Sequence, residues 1–242
     1  MTASARVADR TVPFPVVVRD ASVASATFFV PSRAAARLLP SPDLAIAEPV
    51  PGRALVSLAA IDYRDNDLGT YREFAVSIIV RERGGSSLPF VGMPLAFRNG
   101  KAGAYIHRLP VTTEFSRDAG RSIWGYPKIV ATITFDDSAD RRVARLDVDG
   151  EHAVTLTVRR GGGRSFPDAP LVSYGATDGP LRRTTAIFAG EGLGFRLGGA
   201  SVEIGPHEIG RELASLGFPR RALSSSWIEH MRASFGPPAP MA

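Results

Sequence analysis

Short stretches in which apolar and polar residues alternate with period two dominate the chain, as half-buried antiparallel strands do. His152-Ala153-Val154-Thr155-Leu156-Thr157-Val158 and Val130-Ala131-Thr132-Ile133-Thr134-Phe135 show it most cleanly. They read as a pair joined through Asp147-Val148-Asp149-Gly150, whose Asp-Gly step is a hairpin signal. β-Branched, turn-bounded runs predict strands over 54–61, 71–81, 102–108, 129–135, 142–148 and 152–159. Phe195-Arg196-Leu197 and Ser201-Val202-Glu203-Ile204, around Gly198-Gly199, read as two more strands joined by a turn.

Helix signals are fewer. They cover 32–39 after Pro31, 113–120 from Thr113-Glu114 to a stop at Gly120, and 206–216 between Pro206 and Gly217. The tract Gly161-Gly162-Gly163-Arg164-Ser165-Phe166-Pro167-Asp168 reads as a loop. No repeat or linker divides the 242 residues, so the expected architecture is α+β and mainly antiparallel β. It is a single barrel-like domain over 1–242 with a few short helices, residues 1–12 being flexible.

Composition narrows the function. Apolar residues make up 44%, enough for a sizeable core. The absence of cysteine removes disulfides, thiolate nucleophiles and Cys-ligated zinc. No apolar run approaches the roughly 20 residues of a membrane span, and no signal-peptide core precedes Pro13. A cytoplasmic protein is expected. The net charge of +5 is spread in short arginine clusters without interleaved aromatics, which argues against a nucleic-acid partner. The histidines at 107, 152, 207 and 230 lack metal-ligand spacing, so neither a metal nor a cofactor is expected. Gly190-Glu191-Gly192-Leu193-Gly194 lacks the strand-to-helix context of a phosphate loop.

Of the 29 basic residues only Lys101 and Lys128 are lysines. Lys128 follows a proline at the head of an apolar strand, with Trp124 and Tyr126 just upstream. Arginine cannot replace lysine as an imine-forming nucleophile, because its guanidinium stays protonated. On residue chemistry alone, Lys128 is either such a nucleophile or a strand-end cation with its stem on apolar surface. Glu73 shares a strand face with Tyr71, and is either a rim carboxylate or a proton-handling group. Arg121 suits a substrate carboxylate or the end of the preceding helix, and Trp124 and Tyr126 suit a pocket wall or plain packing.

Gly120-Arg121, four further residues and Tyr126-Pro127-Lys128 resemble the signature of the acetoacetate decarboxylase family. Leu68-Gly69-Thr70-Tyr71-Arg72-Glu73 is similar to a second family segment. Tyr105 and His107 fall in register with a family tyrosine and histidine, and Phe218-Pro219 leading to Ser224-Ser225-Ser226 resembles its closing segment. The resemblance runs over about residues 28–226. It implies a lyase in which Lys128 forms a Schiff base with a small keto acid and Glu73 assists proton transfer. Arg121, Tyr126, Trp124, Tyr71 and Tyr105 would then contact substrate, and the assembly would be a homo-oligomer. His107 itself reads as a core or rim histidine.

Two departures bear on the reaction. The family's second lysine is replaced by Ile129, so activation of Lys128 is expected to rest on desolvation by Trp124, Ile129 and their neighbours. A second family glutamate falls at Leu58, and the family's N-terminal arginine has only Arg19 near its place. Decarboxylation is the family default. An aldolase or aldolase–dehydratase reaction through the same imine is the alternative these departures favour. A non-catalytic barrel binding an apolar ligand is the third reading.

Overall fold

The computed structural model describes residues 3–84 and 92–241. The chain begins with a hairpin of β1 (Ser4–Val7) and β2 (Arg10–Pro13), followed by β3 (Val16–Pro31), α1 (Ser32–Ala36) and β4 (Leu44–Ile46). Next come β5 (Arg53–Asn66), β6 (Tyr71–Glu82), α2 (Met93–Arg98), β7 (Gly103–Val111), α3 (Glu114–Trp124) and β8 (Lys128–Val130). Then follow β9 (Thr132–Asp137), β10 (Arg141–Val148), β11 (Glu151–Arg159), β12 (Arg164–Gly175), β13 (Arg182–Leu197) and β14 (Ala200–Ile204). Helix α4 (Glu208–Ser215), β15 (Ser224–Phe235) and β16 (Ala239–Pro240) complete it.

Strand pairing closes a ring. Its order is β6–β5–β3–β15–β13–β12–β7, and β7 pairs again with β6. All of these contacts are antiparallel except β7 with β12. A second sheet, β14–β11–β10–β9, lies apart from the ring in pairing. Its apolar residues, Leu146 and Leu156 among them, share one core with Leu58, Phe74 and Ile78 on the outer face of the ring. Helix α4 adds Ile209 and Leu213 to that core. The mainly antiparallel, barrel-like α+β architecture is therefore as the sequence predicts.

Several local expectations are corrected. The Asp149-Gly150 turn joins β10 to β11, and β9 pairs with β10 instead of β11. The strand predicted over 129–135 is two strands broken at Ala131, the first parallel to β7. The glycine-rich tract leads into β12, whose pairing with β13 slips between Arg164 and Phe166 and again between Phe166 and Ala169. Pro167 is tolerated at such irregularities because a regular ladder would need its missing N–H. Residues 4–13 form a hairpin whose Val7 and Val12 are buried in one cluster with Tyr63 and Tyr71.

Candidate active site

Helix α3 sets the position of Lys128. Thr113 caps its first turn, its hydroxyl accepting from the Ser116 N–H, and Glu114 favours the positive end of the helix dipole. The helix runs through Gly120 and ends at Gly125, whose φ of 65° suits glycine. There the Gly125 and Tyr126 N–H groups donate to the carbonyls of Arg121 and Gly120. Tyr126-Pro127 then feeds an extended chain into β8, where Lys128 sits opposite Leu109 of β7. The lysine stem passes against the helix at Gly120. A Cβ added there would lie 2.4 Å from Lys128 Cδ, so the glycine that read as a helix stop is the space the lysine occupies.

The Lys128 ammonium donates to Glu73 Oε2 at 2.8 Å, with 4% and 7% of the two side chains exposed. Tyr63 donates to the other Glu73 oxygen at 3.3 Å. Tyr63 stacks on Tyr71 with ring centroids 4.5 Å apart, and Lys128 Nζ lies 4.9 Å from the Tyr71 ring centroid. Tyr126 exchanges a 2.6 Å hydrogen bond with Ser173 and stacks with Trp124, whose indole N–H donates to the Gly236 carbonyl. Burial pushes the Tyr63 and Tyr71 hydroxyls well above the usual phenol range, reinforced by the Glu73 charge. Burial likewise pushes Tyr126 up to about 12. All three phenols stay neutral at any ordinary pH.

These groups line a cavity of about 430 Å³ in the lumen of the ring. Glu73 and Lys128 are the only charged side chains among the described residues that line it. The rest of the wall is mostly apolar, including Leu68, Phe188, Met231 and Phe235. A compact ion pair in such a wall holds a nucleophilic amine and a proton carrier within reach of one carbonyl. No group of three or more metal-ligating side chains converges among the described residues.

The residues read from sequence separate here. Lys128, Glu73, Tyr71, Tyr126 and Trp124 come together at the cavity. Tyr105 does not: its side chain joins the outer core, while its neighbours Ala104 and Ile106 face the lumen. Its hydroxyl is therefore on the wrong face to meet a substrate at Lys128. His107 also leaves the cavity and pairs with Glu212 of α4. Arg121 lies outside the cavity, bound to Asp178 at 2.7 Å, and donates to the Lys128 carbonyl at 3.3 Å. It fixes the backbone of the lysine and presents no free fork to a carboxylate. Arg19 is half exposed and paired with Asp65 and Asp67, so it does not stand in for an arginine in the site.

Leu58 points into the outer core, and the lumen positions beside it on β5 are Ser57 and Ala59. Ile129 also packs on the outer core, so it does not desolvate Lys128. Tyr63 was missed by the sequence reading. The alternation that places Ala59 and Ile61 on one face continues to Tyr63, and reading the strand two residues further finds it.

The sequence matches the acetoacetate decarboxylase family over residues 2–232. No curated protein matches the chain. Among solved structures it is similar to acetoacetate decarboxylase from Legionella pneumophila, with a TM-score of 0.67 and 17% identity over 94% of this chain and 87% of that one. The enduracididine biosynthesis enzyme MppR, solved with pyruvate, gives 0.64 and 17% identity over 95% and 91%. An acetoacetate decarboxylase-like enzyme from Sphingomonas wittichii gives 0.56 and 16% identity over 94% of each chain.

Proposed function

The chain belongs to the acetoacetate decarboxylase family, and on that premise we propose that it is a lysine-dependent lyase acting on a keto acid. The observation that carries this reading is the buried Lys128–Glu73 pair, the only charges lining an otherwise mostly apolar cavity among the described residues. Attack on a carbonyl needs the neutral amine. Glu73 accepts the ammonium proton across 2.8 Å; the freed lone pair forms the C–N bond as the carbonyl π pair moves onto oxygen, which then takes a proton from the nitrogen. The same carboxyl then returns the proton to the carbinolamine hydroxyl, which leaves as water. The product is an iminium ion with the Glu73 carboxylate as its counter-ion.

The iminium accepts electrons from the bond between its α-carbon and a carboxylate carried on that carbon. In a β-keto acid that bond breaks to carbon dioxide, its electron pair forming an enamine that is then protonated and hydrolysed. An apolar wall favours this step, because the substrate carboxylate loses its hydration and its charge spreads as the bond breaks.

A second reading is aldol condensation through the same enamine, which attacks an aldehyde carbon. The likeness to MppR, solved also with a condensation product of pyruvate and imidazole 4-carboxaldehyde, favours it. Product analysis separates the two. Acetoacetate and longer β-keto acids are expected to release carbon dioxide at rates set by enzyme concentration. If only carbon–carbon bond formation from pyruvate and an aldehyde is catalysed, the aldol reading replaces decarboxylation.

A further inference from the structure

Cross-strand register divides the lumen into rows. Val23, Ile61 and Glu73 are partners across β3, β5 and β6. The next two lumen-facing rows along the same strands are Ser25–Ala59–Ala75 and Thr27–Ser57–Ser77. Inward side chains ordinarily fill the interior of a small barrel. Here all six are small, and only beyond them does the wall return to large residues, at Leu55 and Ile79. The open volume is thus built by side-chain choice on three adjacent strands.

Size and polarity say what fits. About 430 Å³ accommodates roughly fourteen non-hydrogen atoms at the ~30 Å³ that a water molecule occupies in the liquid. That is about twice the size of a four-carbon keto acid. From Glu73 to Ser77 the strand advances roughly 13 Å at ~3.3 Å per residue. Ser77 is 8% exposed and lines the cavity, and its hydroxyl has no protein partner among the described residues. The hydroxyl opens onto the lumen, where it can donate to or accept from a polar group of a ligand that reaches this row.

We infer that the substrate is an extended keto acid, with its carbonyl at Lys128 and an apolar chain of about eight atoms that crosses the Ala59–Ala75 row. A hydrogen-bonding group at the far end of that chain meets Ser57 and Ser77. The inference rests on the lysine-imine reading for the position of the carbonyl, and on the lumen itself for the length and the distal group.

Methyl ketones, the decarboxylation products, probe both. Binding of butan-2-one, decan-2-one and 10-hydroxydecan-2-one is measured by calorimetry, and adduct formation by borohydride trapping. Decan-2-one is expected to bind at least tenfold more tightly than butan-2-one. The hydroxylated ketone should bind no more weakly than decan-2-one, although its hydroxyl favours water. Filling the lumen with Ser57→Leu should weaken decan-2-one at least tenfold more than butan-2-one. The inference is overturned if the short and long ketones bind within threefold of each other, or if the terminal hydroxyl weakens binding more than fivefold. It is equally overturned if Ser57→Leu weakens both ketones alike. Tight binding of decan-2-one with no trapped adduct would uphold the lumen assignment and overturn the imine reading instead.

Discussion

The two faces of the ring are made by the same strands and differ in almost every property. On β5 and β6, Leu58, Ala60, Phe74, Val76 and Ile78 point outward into a filled core shared with the second sheet. The residues between them, Ser57, Ala59, Ile61, Glu73, Ala75 and Ser77, point inward and leave a cavity. One face maximises packing, the other gives up packing for space and two charges. A one-residue slip of register would exchange them. Stability is thus concentrated on the outer face and chemistry on the inner.

The largest expected effect on this contrast comes from Glu73→Gln, which keeps the shape of the inner face and removes its proton carrier. Imine formation at Lys128 should slow by about 10²–10⁴, the range for loss of a positioned acid–base group. Ketone binding, which needs no proton transfer, should change far less. An unchanged trapping rate would reduce Glu73 to a counter-ion.

A pair of truncations tests the packing side. Leu58→Ala should cost about 2–5 kcal/mol in chemical denaturation, because it opens a hole in a closed core. Ile61→Ala, three positions on and facing existing open space, should cost about 1 kcal/mol, since it adds little new void. Equal losses would mean that the inner face is as tightly filled as the outer one.

Ile129→Gln sharpens the same point beside the lysine itself. Its side chain joins the outer core, so the variant should lose about 1–2 kcal/mol of stability while the pH profile of trapping stays in place. A displaced acidic limb would put Ile129 in contact with Lys128 after all.

The smallest effect is expected at Glu212, which ties α4 to the outer side of the ring through His107 and Arg108. Burial alone would raise its carboxyl. The His107 and Arg108 hydrogen bonds outweigh burial and hold it down at about 2, against an ordinary 4.5. A depressed carboxyl stabilises the fold above its ordinary value, and that contribution is lost as pH falls through about 2. Glu212→Gln should therefore cost about 1 kcal/mol at pH 7. It should also flatten the fall in denaturation midpoint between pH 4.5 and 2. An identical slope in both proteins would remove Glu212 from the account.

How much of this was legible in the sequence follows from the same contrast. Lys128 and Glu73 were readable because a lysine in an arginine-rich chain and a matching motif both single them out. The face each residue takes was not. Strand β6 is buried almost throughout on both sides, so it reads as a continuous apolar run without alternation. Strand β7 likewise shows no alternation, so Tyr105 was placed at the site by motif register alone, and nothing in its strand pattern signalled that it turns away. Strand β3 escaped for another reason: Ala24, Ser25, Ala26 and Thr27 are small residues of modest strand propensity, chosen for space and not for local structure. Arg121 looked like a carboxylate ligand because only tertiary structure brings Asp178 to it.

The central claim is that the inner face carries one reactive amine, Lys128. Peptide mapping after borohydride trapping with a keto acid or its ketone product tests it most directly. The account predicts a single reduced adduct, on Lys128, that disappears in Lys128→Arg while the protein stays folded. An adduct on Lys101, or equal labelling of the Lys128→Arg protein, would contradict it.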